Sequence, residues 1–317
     1  MAAAHCSPEP YASIDESSCV PQVKANGIHI EYESFGGATD PLVLLIMGLG
    51  AQLTRWPVPF CEKLVARGYR VIRFDNRDVG RSTHLDWAPV PEIGDIVTAR
   101  MTHTPANVPY TLTDMAADTI GLLDALQIEK AHIVGASMGG MIAQLVAADY
   151  PQRVLSLTSI MSTTSNPTLP PPTPAAAAAL MTRAPDPVDQ EAYMTHVLSS
   201  LRTIASPGFT FDSQTTRERI LTDLSRGYNP AGVARQMAAV SANGDRRDKL
   251  RNITAPTIVI HGEDDPLVPV AAGRDTANSI PGAQLLEIPG MAHDIPAALY
   301  DTLVDAIVSA ARRASDQ

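Results

Sequence analysis

The chain has 317 residues, of which 45% are hydrophobic and 18% charged. That composition excludes the disordered and fibrous classes and allows one large domain or a core carrying an insertion. Its 24 basic residues face 34 acidic ones, for a net charge of −10, which repels phosphate backbones and anionic lipid and argues against a nucleic-acid partner. Cys6, Cys19 and Cys61 form neither a disulfide framework nor a CxxC metal pair, so a reducing, cytoplasmic setting is expected.

Residues 1–20 combine Pro, Ser and acidic side chains without a basic or an apolar leader region, and read as a disordered tail rather than a signal peptide. No apolar run approaches a bilayer span, so stable membrane insertion is not expected. Val23 to Phe35 alternates around Asn26-Gly27 and predicts a β-hairpin. Leu42 to Met47 is a continuous apolar run, the pattern of a strand buried on both faces, and Gly48-Leu49-Gly50 breaks it. A helix is predicted over Pro57 to Arg67, closed by Gly68, and a strand over Tyr69 to Phe74. Leu85 to Pro109 reads as a long Pro- and Thr-rich excursion, and Thr113 to Leu126 as an amphipathic helix capped by Thr113.

A strand over Ala131 to Val134, a helix over Met138 to Asp149 stopped by Pro151, and a strand over Val154 to Met161 follow. The texture then changes: proline-rich from Asn166 to Pro174 and helical from Ala175 to about Leu250, with breaks at Pro207-Gly208 and Asn229-Pro230. Strands return at Thr257 to Ile260 and Gln284 to Ile288, before a final helix striped by Leu299, Leu303, Ile307 and Val308. This order predicts a mainly parallel sheet with helices on both faces (residues 21–162 and 251–317), and a helical cap over 163–250 inserted after the sixth strand. Reactive groups in such sheets gather beyond the carboxyl ends of the strands.

One such place holds Gly135-Ala136-Ser137-Met138-Gly139, a G-x-S-x-G turn between a predicted strand and a predicted helix. A bend that sharp strains the serine backbone and lifts its hydroxyl clear of the sheet, whereas a serine that only caps a helix needs no flanking glycines. A serine hydroxyl needs a base. Of the eight histidines, His5 lies in the tail, His29 in the hairpin, His84 and His103 in the long loop, His132 in a strand and His196 in the insert. His261 ends a strand, and His293 follows the last one, where a base can reach over the sheet edge. Asp264 and Asp265 compete to orient that base, with Glu263 a weaker third. The expected oxyanion donors are the backbone N–H groups of Met138 and of Leu49 in the glycine-rich loop.

Taken together, LLIMGLG, FDNRDVGRS, HIVGASMGG, VIHGEDDPLVP and IPGMAHDIP resemble the oxyanion, D-x-R-G-x-G-x-S, nucleophile, acid and histidine segments of the α/β-hydrolase superfamily, from about Val23 onward. The first lacks the usual HG dipeptide, and the second carries Asp78 where glycine is usual. The set is most similar to actinobacterial carboxylesterases and lipases and to anthracycline methyl-ester hydrolases. The resemblance implies an α/β-hydrolase fold and selects Asp265 as the acid, with Ser137 as nucleophile and His293 as base. It also implies a serine hydrolase that cleaves esters of apolar small molecules without a metal or organic cofactor. Met47, Gly48 and Trp56 are expected at the substrate. Thioesterase, lactonase, aminopeptidase and perhydrolase activities share the same triad, and a ligand-binding receptor-like homologue is a rival of another class.

Overall fold

The computed structural model describes residues 21–102, 104 and 106–315. The expected tail, with Cys6, Cys19 and His5, and His103 lie outside the described residues. Eight strands form one sheet: β1 (Gln22–Ala25), β2 (Ile28–Phe35), β3 (Leu42–Ile46), β4 (Arg70–Phe74), β5 (Ala131–Ala136), β6 (Val154–Ile160), β7 (Thr257–Gly262) and β8 (Gln284–Ile288), in the order β1-β2-β4-β3-β5-β6-β7-β8. The β1–β2 and β2–β4 pairs are antiparallel and the others parallel. The hairpin turns at Asn26 and Gly27, both at positive φ (47° and 82°), which is why a two-residue turn needs this pair.

Two apolar layers sandwich the sheet, and the central run LVLLI shows how. Leu44 and Ile46 join the layer made with α3 (Leu112–Ala125) and α4 (Met138–Asp149), while Val43 and Leu45 pack with α1 (Val58–Val65) and the last helix, Tyr300–Ser315. A strand covered on both faces has no polar side to alternate with.

Three details differ from the sequence expectations. The cap of α3 is Thr111, not Thr113: its hydroxyl accepts from the Asp114 N–H, and the Asp114 carboxylate accepts from the Thr111 N–H, a reciprocal box that fixes the start two residues earlier. The Pro- and Thr-rich excursion contains a helix, α2 (Ile93–Met101), in which Ile96 is the one buried residue among the described side chains and gives little periodicity to read. A helix over Ala271–Ser279, between β7 and β8, was masked by its small and polar residues.

Between β6 and β7 the chain runs through α5 (Pro174–Met181), α6 (Gln190–Thr203), α7 (Ser213–Arg226), α8 (Pro230–Asn243) and α9 (Arg247–Leu250), with no strand. We number the helices Ala271–Ser279 and Tyr300–Ser315 α10 and α11. The insert meets the sheet through buried polar contacts. Arg235 of α8 clasps Asp78 with both ends of its guanidinium (2.8 and 2.7 Å), and neither residue is more than 2% exposed. Arg226 of α7 pairs with Asp75, and Gln52 donates to the carbonyls of Asp223 and Gly227.

Candidate active site

Ser137 sits between β5 and α4 at φ 56° and ψ −122°, a backbone conformation that L residues avoid at a cost on the order of 1–3 kcal/mol. The surroundings explain the glycines two residues away on either side. A Cβ on Gly135 would stand 2.1 Å from the Gly139 carbonyl oxygen, and one on Gly139 would stand 2.2 Å from that of Ile46. Strand and helix are thereby pressed together so closely that the serine must project from the bend. The Ser137 N–H is held by the Ile160 carbonyl (2.9 Å), and the Ser162 hydroxyl donates to the Ser137 carbonyl (2.8 Å).

His293 Nε2 lies 2.9 Å from Ser137 Oγ, and its Nδ1 lies 2.7 Å from Asp265 Oδ2. A carboxylate only accepts, so Nδ1 carries the ring proton and Nε2 is left to accept from the serine hydroxyl. Asp265 is itself fixed, because its Oδ1 accepts from the N–H groups of Leu267 (2.9 Å) and Val268 (2.8 Å). Its side chain is fully shielded from solvent. The structure thus brings Asp265 to the ring. Asp264 instead accepts from the Gly290 N–H (2.9 Å) and braces the histidine loop from outside.

The other described histidines lie elsewhere. His132 is buried in β5 against Ser156, and burial alone lowers its pKa to about 4. His261 is buried beside Asp265, but its Nε2 donates to the Val268 carbonyl (2.7 Å), and burial pushes its pKa down. His84 reaches the Gly80 carbonyl.

On the opposite side of Ser137 lies the loop after β3. A Cβ on Gly48 would be 3.1 Å from the Ser137 Cβ, so a side chain there would crowd the nucleophile. Asn76 donates to the Met47 carbonyl (2.9 Å), fixing the start of the loop. Met138 is the first residue of α4, so its N–H has no acceptor within the helix and the helix dipole adds positive character there.

Beyond this loop opens a cavity of about 730 Å3, walled by Leu49 and Gly50 on one side and by Tyr193, Val233 and Met237 of the insert on the other. Neither Ser137 nor His293 lines it. Two residues expected at the substrate are placed differently. Trp56 is fully buried and stacks on Phe60 (5.4 Å between ring centroids), because the apolar layer under α1 and α11 claims its ring. The Met47 side chain belongs to that same layer.

Contacts that sequence reasoning missed come from the insert. The Ser206 N–H and hydroxyl both donate to Asp294, the Ala292 N–H donates to Ser206 Oγ (2.8 Å), and the His293 N–H donates to the Ile204 carbonyl (3.0 Å). The histidine loop is therefore stitched to residues 204–206. Only the break at Pro207-Gly208 hinted at this, since Gly208 is in backbone contact with Gly290. Among the described residues, no group of three or more His, Cys, Asp or Glu is arranged to hold a metal ion, and no helix is long and apolar enough to cross a membrane.

Comparison with known proteins bears on this geometry. The chain is 32% identical over 302 residues to rhodomycin D methylesterase DnrP of Streptomyces peucetius, covering 89% of this chain and 95% of that one. It is 30% identical to 3-oxoadipate enol-lactonase 2 of Acinetobacter baylyi over 79% of this chain and 81% of that one. Among solved structures, a hydrolase from Pseudomonas aeruginosa PA01 superposes with a TM-score of 0.67 at 26% identity, covering 93% of this chain and 98% of that one. The alpha/beta hydrolase fold family matches residues 41–296, and the chain, a hydrolase, belongs to that family.

Proposed function

We propose that the protein is a carboxylesterase acting by two-step acyl transfer on esters with a bulky apolar acyl group and a small alcohol. The observation that carries this reading is the unbroken hydrogen-bonded line from Asp265 through His293 to Ser137. In the first step Ser137 Oγ attacks the ester carbonyl and its proton passes to His293 Nε2. Asp265 holds the imidazole and stabilises the imidazolium. The N–H groups of Leu49 and Met138 bind the oxyanion, each worth about 3–4 kcal/mol of barrier. The leaving alcohol takes the proton from Nε2; water, deprotonated by the same nitrogen, then releases the acid and restores the serine. Every proton is carried by this chain's own side chains or by water.

The acyl preference follows from direction. The leaving oxygen must face His293 Nε2 to be protonated, and the carbonyl oxygen must face the loop amides. The cavity opens past Leu49 and Gly50 and is lined by neither Ser137 nor His293; in this reading it lies on the side of the loop amides, away from Nε2, and takes the acyl side. The likeness to a methylesterase supports a small alcohol. Residues 163–250 serve in this reading as a cap that shapes the acyl pocket.

The test is a matrix of esters, methyl esters of large apolar acids against acetates of large alcohols, with wild type and Ser137→Ala. The expected result is faster turnover of the first class and loss of both with Ser137→Ala. Undiminished turnover by the variant would refute the mechanism, and preference for large alcohols would reverse the assignment of the cavity.

A further inference from the structure

The loop that would bind the oxyanion is not held by the sheet alone. Gln236, on α8 of the insert and fully buried, accepts a hydrogen bond from the Gly50 N–H (2.8 Å) and donates one to the Arg77 carbonyl (2.7 Å). Its amide thus ties the peptide next to Leu49 to the turn after β4. Gly50 has φ +64°, and a Cβ there would press on Val233 of the same helix at 3.1 Å. The preceding peptide, which carries the Leu49 N–H, is held at its other end: the Gly48 carbonyl accepts from the Ala51 N–H (3.2 Å), closing a turn around Leu49 and Gly50, so that a tie at Gly50 and this bond together restrict the Leu49 N–H. The neighbouring side chain, Arg235, locks α8 in register through Asp78. Asn76 holds the loop at Met47 and Gln236 holds it at Gly50, one from the core and one from the insert.

We propose that Gln236 is a positioning residue for the oxyanion hole: through Gly50 it fixes the direction of the Leu49 N–H, so that docking of the insert completes the transition-state site. This rests on the hydrolase mechanism above and deepens it. A donor contributes fully only when it is fixed in advance on the place where charge develops; a loop that swings by a fraction of an ångström leaves substrate binding intact and weakens the transition state. Gln236 touches neither substrate nor the reacting atoms, so its removal should lower kcat and spare KM.

The experiment compares wild type with Gln236→Met, which keeps the volume and loses both the acceptor for Gly50 and the donor to Arg77, and Gln236→Asn, a smaller polar side chain one methylene short. Four quantities are read: kcat and KM on a methyl ester, melting temperature, and affinity for an alkyl boronic acid, a tetrahedral anion mimic on Ser137. The expected result is a fall in kcat of about ten- to a hundredfold in both variants, KM within about twofold, and boronate affinity reduced by the same factor as kcat. A properly folded variant with kcat within twofold of wild type would overturn the proposal, as would a lowered kcat with boronate affinity unchanged. If Gln236→Met fails to fold, the Gln236→Asn values decide. If both fail, hydrogen exchange of the Gly50 amide in wild type decides: protection matching that of the β3 amides supports the tie, and exchange as fast as an open loop overturns it. Failure of the mechanism itself is read separately, as hydrolysis and boronate binding that survive Ser137→Ala.

Discussion

The central strand of the sheet and the seam between sheet and insert are both buried, but the seam alone buries charged pairs. In the central strand, burial is apolar on both faces: Val43, Leu44, Leu45 and Ile46 are wholly shielded among aliphatic and aromatic neighbours. In the seam, apolar residues such as Ala239 and Leu250 share the burial with polar pairs: Asp78 with Arg235, Asp75 with Arg226, and Gln236 between Gly50 and Arg77. Apolar packing tolerates changes of shape because its attraction is non-directional, whereas a buried pair fails when one partner is lost and the other is left as an uncompensated charge.

The comparison is most sharply broken by Arg235→Leu. This should cost about 3–5 kcal/mol in chemical denaturation by stranding Asp78, and adding Asp78→Gly, which removes the stranded charge at a position of positive φ, should recover part of that loss. If Arg235→Leu is no worse than a conservative core change, the seam does not behave as described. The matching change in the apolar layer, Leu64→Met, should cost under about 1.5 kcal/mol. Smaller still, at about 1 kcal/mol, is Thr111→Ala, which removes half of the box at the start of α3 and touches neither region.

Acid separates the two regions by window. His132 in β5 is held at about 4 in the folded chain against 6.5 unfolded, so the unfolded chain binds the proton first. Stability should fall as pH drops from 6.5 towards 4, and His132→Leu should flatten that slope. Asp78 acts lower. Burial opposes its charge, but the Arg235 guanidinium, the Leu85 N–H and the Tyr110 hydroxyl together hold its carboxyl below the usual 3.8. Its contribution is present above 3.8 and is lost as pH falls through the folded value. Urea midpoints of wild type, His132→Leu and Asp78→Leu across pH 3–7 would check both windows. Coincident slopes in all three proteins would contradict the separation.

This difference in material also explains what could be read from the sequence. Periodicity and glycine punctuation expose β3, β5, α4 and the bend at Ser137, because the pattern that forms them is local. His293 and the acid stood out by following strands, although choosing Asp265 over Asp264 took a family resemblance. Short-range pattern says nothing of Arg235 meeting Asp78, or of Gln236 meeting Gly50, since partners more than 150 residues apart leave no trace in either neighbourhood. The one visible sign was Asp78 itself. Where related turns carry glycine, this chain carries an acid at φ 70°, and the strain is offset by the hydrogen bonds it collects. Trp56 shows the converse error: a large aromatic near a site belongs to the core when an apolar layer lies within reach.

The central claim is that Ser137 is a nucleophile activated by His293. Incubation with a fluorophosphonate ester, followed by peptide mass spectrometry, tests it directly. The expected result is stoichiometric phosphonylation of Ser137 in wild type, and labelling slowed by at least a hundredfold in His293→Ala. Labelling of another residue, or of Ser137 at the same rate without the imidazole, would contradict the account.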